Sequence, residues 1–466
     1  MPISPARRAA FEILRRVEQE SAYASVLLAA HDRGMRADDR ALCHELVLGV
    51  LRKQLWLDRA LEHFADRDIA RIDLPVRLAL RLGLYQLRFL SRIPPSAAVN
   101  ESVNLVRAAG LQSAGSFTNA VLRRATREPA YDPTTTATDP LEKLAVETSH
   151  PPWLIERWAK ALGFEEAEAL ARANNESQPT AFRFTAKAIQ SSLDLEQILK
   201  EISDSGAQLA PSRIAPDGWR ITRDRTARGS ERVSGGKDGG VPQAKTPALL
   251  NRLSQDGLIY FQDEASQLVS YLVAPRSSDR LLDVCAAPGS KTTHMAALAP
   301  QALIVCGDLH EYRLRTMNDL AKRQAAGQVK LARYDATCTL PFADRLFDRV
   351  LVDAPCSGTG TLRHNPEIRW RLRPSDIIDL STTQKKILAN AAATVRPGGR
   401  MIYSTCSVEP EENEAVVNTF LEQNPEFTAL QLDDRTNLLS DAGAIRTWPH
   451  RHDVDGFFIA AMNRQG

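Results

Sequence analysis

The chain has 466 residues, of which 43% are hydrophobic and 25% are charged. This composition is typical of folded domains and argues against wholesale disorder, and the length predicts two to four domains at roughly 100–200 residues each. No apolar run is long enough to cross a membrane, and the N-terminal sequence MPISPARRAAFEILRR lacks the apolar core of a signal peptide. Six cysteines in so long a chain predict no disulfide framework, so we expect a cytoplasmic protein with reduced thiols.

The net charge of +2 is unevenly distributed. Residues 1–130 carry 20 Lys and Arg against 14 Asp and Glu, whereas the remainder carries 39 against 43. Only 12 of the 59 cationic residues are Lys, and Arg pairs with phosphates and stacks on bases. Codon bias would account for many of these arginines, but the basic N-terminal part indicates a nucleic-acid partner.

Residues 1–130 are predicted to form an all-helical bundle. Apolar residues recur at helical spacing in AAFEILRRVEQESAYASVLLAA, ALCHELVLGVLRKQLWLDRALEHF and LPVRLALRLGLYQLRFL. The Pro94-Pro95-Ser96 stretch interrupts the pattern and starts a further helix. Several helices with short connections favour a compact bundle.

The central part is predicted to contain a linker and a small domain. Residues 131–145 are rich in Pro, Thr and Asp and are interpreted as a linker. Residues 146–256 mix helical patterns with strand-like runs such as TAFRFTA, which predicts a small α/β accessory region. Within it, the polar, Gly-rich residues 222–247 are predicted to be a flexible insertion.

Residues 257–466 show short apolar runs separated by helical stretches. The runs are RLLDV, ALIVCGD, VKLARYD, FDRVLVD, GRMIYST and GFFIAAM. Alternating strands and helices predict a doubly wound, Rossmann-like α/β domain with a mostly parallel sheet. Ligands of such sheets lie at the carboxyl ends of the strands, so the chemistry is expected directly after each run.

The first strand of this domain leads into the small-residue loop CAAPGSKT, residues 285–292. Small side chains let a ligand approach the backbone, and the following helix start offers free N–H groups. The loop matches neither GxGxxG nor GxxxxGK[ST]. Asp308 ends the second strand 19 residues after Gly289, where an acid can bind ribose hydroxyls. Asp335 ends the third strand, where it could face an adenine, although both acids could instead be helix caps.

Two cysteines follow neighbouring strands. Cys356 lies in DAPCSG after the fourth strand, and Cys406 lies in STCS after the fifth, so both should reach one edge of the sheet. A thiolate is a strong nucleophile, and this pair predicts two-thiol chemistry. A CxxC-type metal site is excluded because 50 residues separate them, so no metal is predicted. The other four cysteines are interpreted as structural, with Cys43, Cys306 and Cys338 as small core residues.

Several motifs carry a family resemblance. DAPCSGTGTLRHNPEIRW and YSTCSVEPEENEAVV resemble the signature motifs of RNA (cytosine-5) methyltransferases, and FQDEASQLV resembles the motif that precedes their catalytic fold. CAAPGSKT resembles the S-adenosylmethionine loop of that family, usually CAAPGGKT, from which it departs at Ser290. ARRAAFEILRRVE, LVLGVLRKQLWLDRAL, LRLGLYQLRFL and AVNESVNLVR resemble the NusB family of RNA-binding domains. The combination is similar to the bacterial 16S ribosomal RNA (cytosine-5) methyltransferase B family, also called RsmB, Sun or Fmu.

The resemblance implies a NusB-like RNA-binding domain over residues 1–130 and an S-adenosylmethionine-dependent methyltransferase domain over residues 257–466. It implies S-adenosyl-L-methionine as cofactor. The residues expected to bind it are Cys285, Ala286, Ala287, Pro288, Gly289, Ser290, Lys291, Asp308, Asp335 and Asp353.

The resemblance also implies a catalytic set. Cys406 would add to C6 of a cytosine, Cys356 would assist product release, and Asp353 would hydrogen-bond the base and favour its activation at N3. DNA cytosine methyltransferases instead use the Pro-Cys cysteine as nucleophile, which would make Cys356 the attacking residue. Lys291 could also approach the base or the cofactor, or be a surface residue at a helix start.

The expected partner is 16S ribosomal RNA, free or in early assembly, bound by a monomer with no membrane contact. The same reaction on transfer RNA, and a non-catalytic RNA-binding or antitermination factor, remain alternatives. Residues that could line the RNA path are Arg363, His364, Arg369, Trp370 and Arg371. The acidic stretch at 411–413 is predicted to start the next helix and to brace the Cys406 loop.

Overall fold

The computed structural model describes residues 3–31, 34–222, 245–432, 438 and 443–466. The chain forms two compact units, one of residues 1–176 with 361–372 and the other of residues 177–360 with 373–466. The predicted insertion at 222–247 lies almost entirely outside the described residues. No helix in the described ranges is both long enough and apolar enough to span a membrane.

The first unit begins with a helical bundle, as the apolar spacing predicts. Its helices are α1 (Pro5–Gln19), α2 (Ala24–His31), α3 (Ala37–Arg52), α4 (Gln54–Ala65), α5 (Leu74–Phe89), α6 (Pro95–Ala108) and α7 (Ala114–Arg127), with a 3₁₀ turn at Ile69–Arg71. Proline occupies the first turn of α1, α5 and α6, where its missing N–H costs nothing. Leu14, Leu46 and Leu57 are among the buried residues of one apolar core. The helices pack so closely at Gly49 that an added Cβ would lie 2.1 Å from the Tyr85 ring.

The segment 131–145 differs from the predicted linker because it carries regular structure. It contains a 3₁₀ turn at Pro133–Thr136 and the start of α8 (Pro140–Thr148). Asp139 caps α8 by accepting a hydrogen bond from the Glu142 N–H at 2.8 Å. An N-cap Asp followed by Pro is a helix-start signal, and here it outweighs the Pro- and Thr-rich composition. Helices α9 (Pro152–Leu162) and α10 (Phe164–Ala173) follow.

The second unit contains a small antiparallel sheet. Its strands are β1 (Thr180–Phe184), β2 (Gln208–Pro211), β3 (Gly218–Thr222) and β4 (Ile259–Phe261), in the order β2-β3-β1-β4. The accompanying helices are Ala186–Gln190, Leu195–Asp204 and Lys245–Gln255. Phe182, Ile198 and Leu253 belong to its core. The accessory region was predicted to end at residue 256, but β4 extends this sheet beyond that residue. The sequence pattern does not indicate β4, because three residues are too few to show a strand period.

The larger sheet has the predicted, mostly parallel arrangement. Its strands are β5 (Arg280–Asp283), β6 (Leu303–Asp308), β7 (Val329–Arg333), β8 (Phe347–Asp353), β9 (Val395–Thr405), β10 (Phe427–Leu430), β11 (Ile445–Arg446) and β12 (Phe458–Arg464). The order is β10-β12-β9-β8-β5-β6-β7, with β11 beside β12. Strands β5 to β9 pair in parallel, and β12 pairs antiparallel with β9.

Helices fill the connections of this sheet. They are Glu264–Val273, Ser290–Leu298, Glu311–Arg323, Pro374–Thr394 and Glu414–Gln423, with a short turn at Pro449–His452. Leu282, Val350 and Tyr403, on the neighbouring strands β5, β8 and β9, are buried in one core cluster. Because these three strands are parallel neighbours, their carboxyl ends lie at one edge of the sheet.

Candidate active site

The loops after β8 and β9 lie beside each other because their strands pair in register. Asp353, the last residue of β8, lies opposite Ser404 near the end of β9. The loops that follow carry Cys356 and Cys406, whose Sγ atoms are 3.3 Å apart. The sheet therefore brings the two predicted cysteines into direct contact.

The two thiols share one hydrogen bond, and both side chains are partly buried. The hydrogen bond with Cys406, followed by burial, raises the pKa of Cys356 well above its ordinary value. Cys356 therefore stays protonated at neutral pH, and its S–H is placed to donate a hydrogen bond to Cys406 Sγ.

The remaining cysteines lie outside this pair. Cys43 and Cys306 are buried in the core as predicted, and burial raises the pKa of Cys306. Cys285 is half-buried in the cofactor loop, and burial also raises the pKa of its thiol. Cys338 is exposed rather than buried, because it lies in the turn after β7 and not on a strand.

Asp353 is held by two side chains beside the cysteines. Lys291 donates from Nζ to Oδ2 at 2.7 Å, and Ser404 donates from Oγ to Oδ1 at 2.8 Å. Burial alone would lower the pKa of Lys291, but the Asp353 carboxylate outweighs it and raises the pKa. Lys291 is thus a buried cation paired with Asp353, not the surface residue that was its alternative interpretation.

The loop before the helix Ser290–Leu298 has the close packing that a cofactor loop requires. Gly289 has φ +102°, and an added Cβ would lie 2.8 Å from Met317 Cγ. A side chain at this position would therefore be strained and crowded. Ser290, the residue that departs from the resembled motif, is the first residue of the helix, where the backbone tolerates Ser as well as Gly.

Asp283, at the end of β5, is a polar residue of the site that the motifs did not single out. It is buried, its Oδ2 accepts from Thr292 Oγ1 at 2.6 Å, and its Oδ1 has no protein partner within the described residues. Burial raises the pKa of Asp283 to about 7. An acid at a strand end, two residues before the small-residue loop, was the signal available in the sequence.

Asp308 lies at the end of β6 and is linked to the loop. Its Oδ1 accepts from the His310 N–H at 2.9 Å, and its Oδ2 pairs with Arg313 Nη1 at 3.1 Å. Arg313 also donates to the Ala287 carbonyl at 2.7 Å. Asp308 thus stands beside the cofactor loop, as a ribose-binding acid would need to.

Asp335 forms its hydrogen bonds within its own turn rather than with the cofactor loop. Its Oδ1 accepts from both the N–H and the Oγ1 of Thr337, which lower the pKa of Asp335. These hydrogen bonds stabilise the turn, in line with the capping alternative. The contact of Asp335 with an adenine stays a prediction.

The small sheet supplies a contact to the loop that no sequence signal predicted. Arg183, on β1, is 1% exposed and donates to the Ser290 carbonyl and to Thr293 Oγ1, both at 3.0 Å. It also donates to Gln262 Oε1 at 2.7 Å. A lone Arg within TAFRFTA forms no recognisable motif, so its role depends on the fold.

The Cys356 motif is followed by three side chains that donate hydrogen bonds within the protein, and their place on an RNA path stays a prediction. Arg369 is fully buried and donates to the Ser149 carbonyl at 3.1 Å and to Asn175 Oδ1 at 3.0 Å. Trp370 Nε1 donates to the Leu51 carbonyl, and Arg371 donates to carbonyls of residues 17, 21 and 22. The further predicted path residues Arg363 and His364 are respectively buried and exposed.

The described residues contain no group of three or more His, Cys, Asp or Glu placed to hold a metal ion. They do fit S-adenosylmethionine. The cradle at Gly289 excludes side chains, Asp283 offers an unpaired carboxylate oxygen, and Asp308 lies at the next strand end. Fold and site together define an S-adenosylmethionine-dependent methyltransferase.

Comparison with known proteins narrows this class. Family models match for 16S rRNA methyltransferase RsmB/F at residues 270–463, the NusB family at 4–127, and the ferredoxin-like domain of RsmF/B-like methyltransferases at 150–227. A Bacillus subtilis protein named "Probable ribosomal RNA small subunit methyltransferase B" is 32% identical over 99% of this chain and 99% of its own. The chain belongs to this RsmB family of 16S rRNA methyltransferases.

Solved structures agree with the fold. The crystal structure of PH0851 has a TM-score of 0.81 at 27% identity and covers all of both chains. NSun6 from Pyrococcus horikoshii, solved with SFG, has a TM-score of 0.57 at 21% identity over 68% of this chain and 98% of its own. The latter similarity shows the fold alone.

Proposed function

We propose that the chain transfers a methyl group from S-adenosylmethionine to C5 of a cytosine in 16S ribosomal RNA, through a covalent bond between Cys406 and C6. The observation that carries this proposal is the pair of contacting thiols beside Asp353, which is paired with Lys291. The relative named as a small-subunit ribosomal RNA methyltransferase supports the choice of RNA.

C5 of cytosine is a poor nucleophile until C6 carries a nucleophilic substituent. The Cys406 thiolate adds to C6, the electron pair of the C5–C6 double bond shifts into the ring toward N3, and N3 takes a proton from solvent. The Asp353 carboxylate accepts the hydrogen bond from protonated N3, and its ion pair with Lys291 orients it. S-adenosylmethionine, when bound, supplies the methyl group that C5 accepts.

Cys356 then assists the release of the methylated base from Cys406. Once the Cys406 sulfur is bonded to C6, it no longer carries the charge and hydrogen bond that raise the pKa of Cys356. Cys356 can then lose its proton to solvent and take the C5 proton. The C5–C6 double bond re-forms, the S–C6 bond breaks with its electron pair returning to Cys406, and N3 returns its proton to solvent.

The two cysteine variants test this assignment. Cys356→Ala should accumulate a protein–RNA adduct that resists denaturation, because addition proceeds while release fails. Cys406→Ala should form no adduct and no methylcytosine. Both are measured by denaturing gel shift with labelled RNA. An adduct formed by Cys406→Ala would reverse the roles and make Cys356 the nucleophile.

The substrate is tested by transfer of labelled methyl to three RNAs in parallel: protein-free 16S RNA, assembled small subunits and transfer RNA. We expect label on 16S RNA, with bisulfite mapping locating it at a cytosine. Label confined to transfer RNA would overturn the ribosomal substrate. A chain that binds S-adenosylmethionine by calorimetry but labels none of the three RNAs would contradict the proposal as a whole.

A further inference from the structure

One buried carboxylate joins the two cysteine loops. Glu412 is 0% exposed and lies six residues after Cys406. Its Oε1 accepts from the Ser357 N–H and from Gln384 Nε2, both at 2.9 Å. Its Oε2 accepts from the hydroxyls of Ser357 and Ser407. Four donors from three different segments therefore converge on this carboxylate.

The positions of these donors matter because each serine directly follows a cysteine. Ser357 follows Cys356, and Ser407 follows Cys406. The sequence pattern predicted a brace for the Cys406 loop alone, whereas the structure ties both loops to one side chain. The loops also contact each other, since the Gly360 N–H donates to the Cys406 carbonyl at 3.0 Å.

Burying a carboxylate is costly unless charge-assisted hydrogen bonds compensate it. Burial raises the pKa of Glu412, while its hydrogen bonds with Ser357, Ser407 and Gln384 oppose that rise. The Glu412 charge also adds to the causes that raise the pKa of Cys356, after the hydrogen bond with Cys406 and burial. Both the geometry and the charge of Glu412 thus act on the cysteine pair.

We propose that Glu412 is a positioning residue that fixes the separation of the Cys356 and Cys406 sulfur atoms. Its catalytic consequence rests on the proposed function, in which one thiol forms the adduct and the other releases it. A displaced Cys356 would leave addition to C6 possible and would slow release most.

The first test measures the separation of the sulfur atoms without RNA or cofactor. Diamide takes the hydrogen atoms of two neighbouring thiols, is reduced to the hydrazine, and leaves a disulfide. Glu412→Ala should form the Cys356–Cys406 disulfide at least about tenfold more slowly than the wild type, since a misplacement of about 1 Å weakens such proximity effects strongly. Peptide mapping after alkylation measures the rate. A rate equal to or above that of the wild type would overturn the proposal.

Matched variants separate positioning from general damage. Glu412→Gln should restore most of the disulfide rate, because its amide can accept from the two N–H donors and donate to the two serine hydroxyls. Glu422→Ala, at an exposed position on the next helix, should crosslink as the wild type does. If Glu412→Ala fails to fold, Ser357→Ala combined with Ser407→Ala removes the two hydroxyls and should slow the disulfide as much; wild-type crosslinking in that double variant would overturn the proposal.

A second readout links the position to catalysis. Glu412→Ala should lower kcat by roughly 10- to 100-fold with little change in the KM for RNA, and should accumulate adduct. An unchanged kcat would contradict the catalytic consequence. Because crosslinking needs no substrate, failure of the cytosine chemistry would appear separately, as a wild-type protein that crosslinks but makes no methylcytosine.

Discussion

At the residue scale, nearby charges, hydrogen bonds and burial determine which side chains of the site hold a proton. Lys291 pairs with Asp353, and the hydrogen bond with Cys406, together with burial, keeps Cys356 protonated. Asp283 is different, because no cation pairs with it and its Oδ1 has no protein partner among the described residues. Burial therefore disfavours the ionised form of Asp283.

This effect of burial predicts a pH dependence of stability. Burial raises the pKa of Asp283 from 3.8 to about 7. Between these values the folded chain keeps a proton that the unfolded chain releases, so this residue lowers the free energy of unfolding as pH rises, by up to about 1.4 kcal/mol per pH unit. Asp283→Asn cannot ionise and can still accept from Thr292. The drop in Tm between about pH 5 and about pH 7 should be smaller in this variant.

The measurement is a series of thermal melts without cofactor. Asp319→Asn is the matched control, because Asp319 is exposed on the neighbouring helix. Its pH profile should follow that of the wild type. An Asp283→Asn profile parallel to that of the wild type would contradict a buried, protonated Asp283.

The sequence predicted some of these residues better than others. Cys356, Cys406 and Asp308 follow strand ends, and period and motif together indicate such positions. Asp283 was overlooked because it lies before the loop motif, and Arg183 because one charged residue in a strand has no pattern. Contacts between residues that are far apart in the sequence produce no recognisable local sequence pattern.

At the element scale, the segment 361–372 illustrates the same limit. Three arginines, a histidine and a tryptophan after a catalytic motif suggested an RNA path, but the segment packs within the first compact unit. Glu367 accepts from the Ala24 N–H at 2.9 Å, and Trp370 donates to the Leu51 carbonyl at 2.8 Å. Such residues stabilise the helical unit. This segment nonetheless continues directly from the loop that carries Cys356.

Arg369 should accordingly be a stability residue. Arg369→Met removes a buried guanidinium and leaves the Ser149 and Asn174 carbonyls without this donor. We expect a loss of about 3 kcal/mol in the free energy of unfolding, since buried polar groups lose their partners. Denaturant unfolding followed by Trp fluorescence measures it. Arg127→Met, at an exposed position, should change stability by under about 0.5 kcal/mol. Equal stability of the two variants would show that the hydrogen bonds of Arg369 contribute nothing.

At the scale of the whole molecule, the near-neutral charge combines a basic helical part with a slightly acidic remainder. Helical periods, strand alternation and sequence motifs were enough to predict the helical bundle, the small α/β region and the Rossmann-like domain. The strand β4 and the helix α8 were not predicted in their places, because a three-residue strand and a capped helix in a Pro-rich stretch carry weak periodic signals. Deleting residues 1–130 would also remove residues that pack against 361–372. A change in RNA affinity after this deletion would therefore not measure RNA binding by the helical part alone.

Charge substitutions on the helical part test RNA binding without that disturbance. Arg107 and Arg123 are exposed on α6 and α7. A cleft of about 500 Å³ is lined by Asn100, Asn104, Arg107, Gln112, Ser116 and Asn119 among others, and Arg123 donates to Asn119 Oδ1 at 3.3 Å. Changing both arginines to Gln should weaken binding to 16S RNA. The slope of log affinity against log salt should become shallower by about 0.7 for each phosphate that the protein no longer neutralises. Changing both to Lys keeps the charge and should keep the slope. If the Gln and Lys pairs give the same slope as the wild type, this face of the helical part does not bind RNA phosphates.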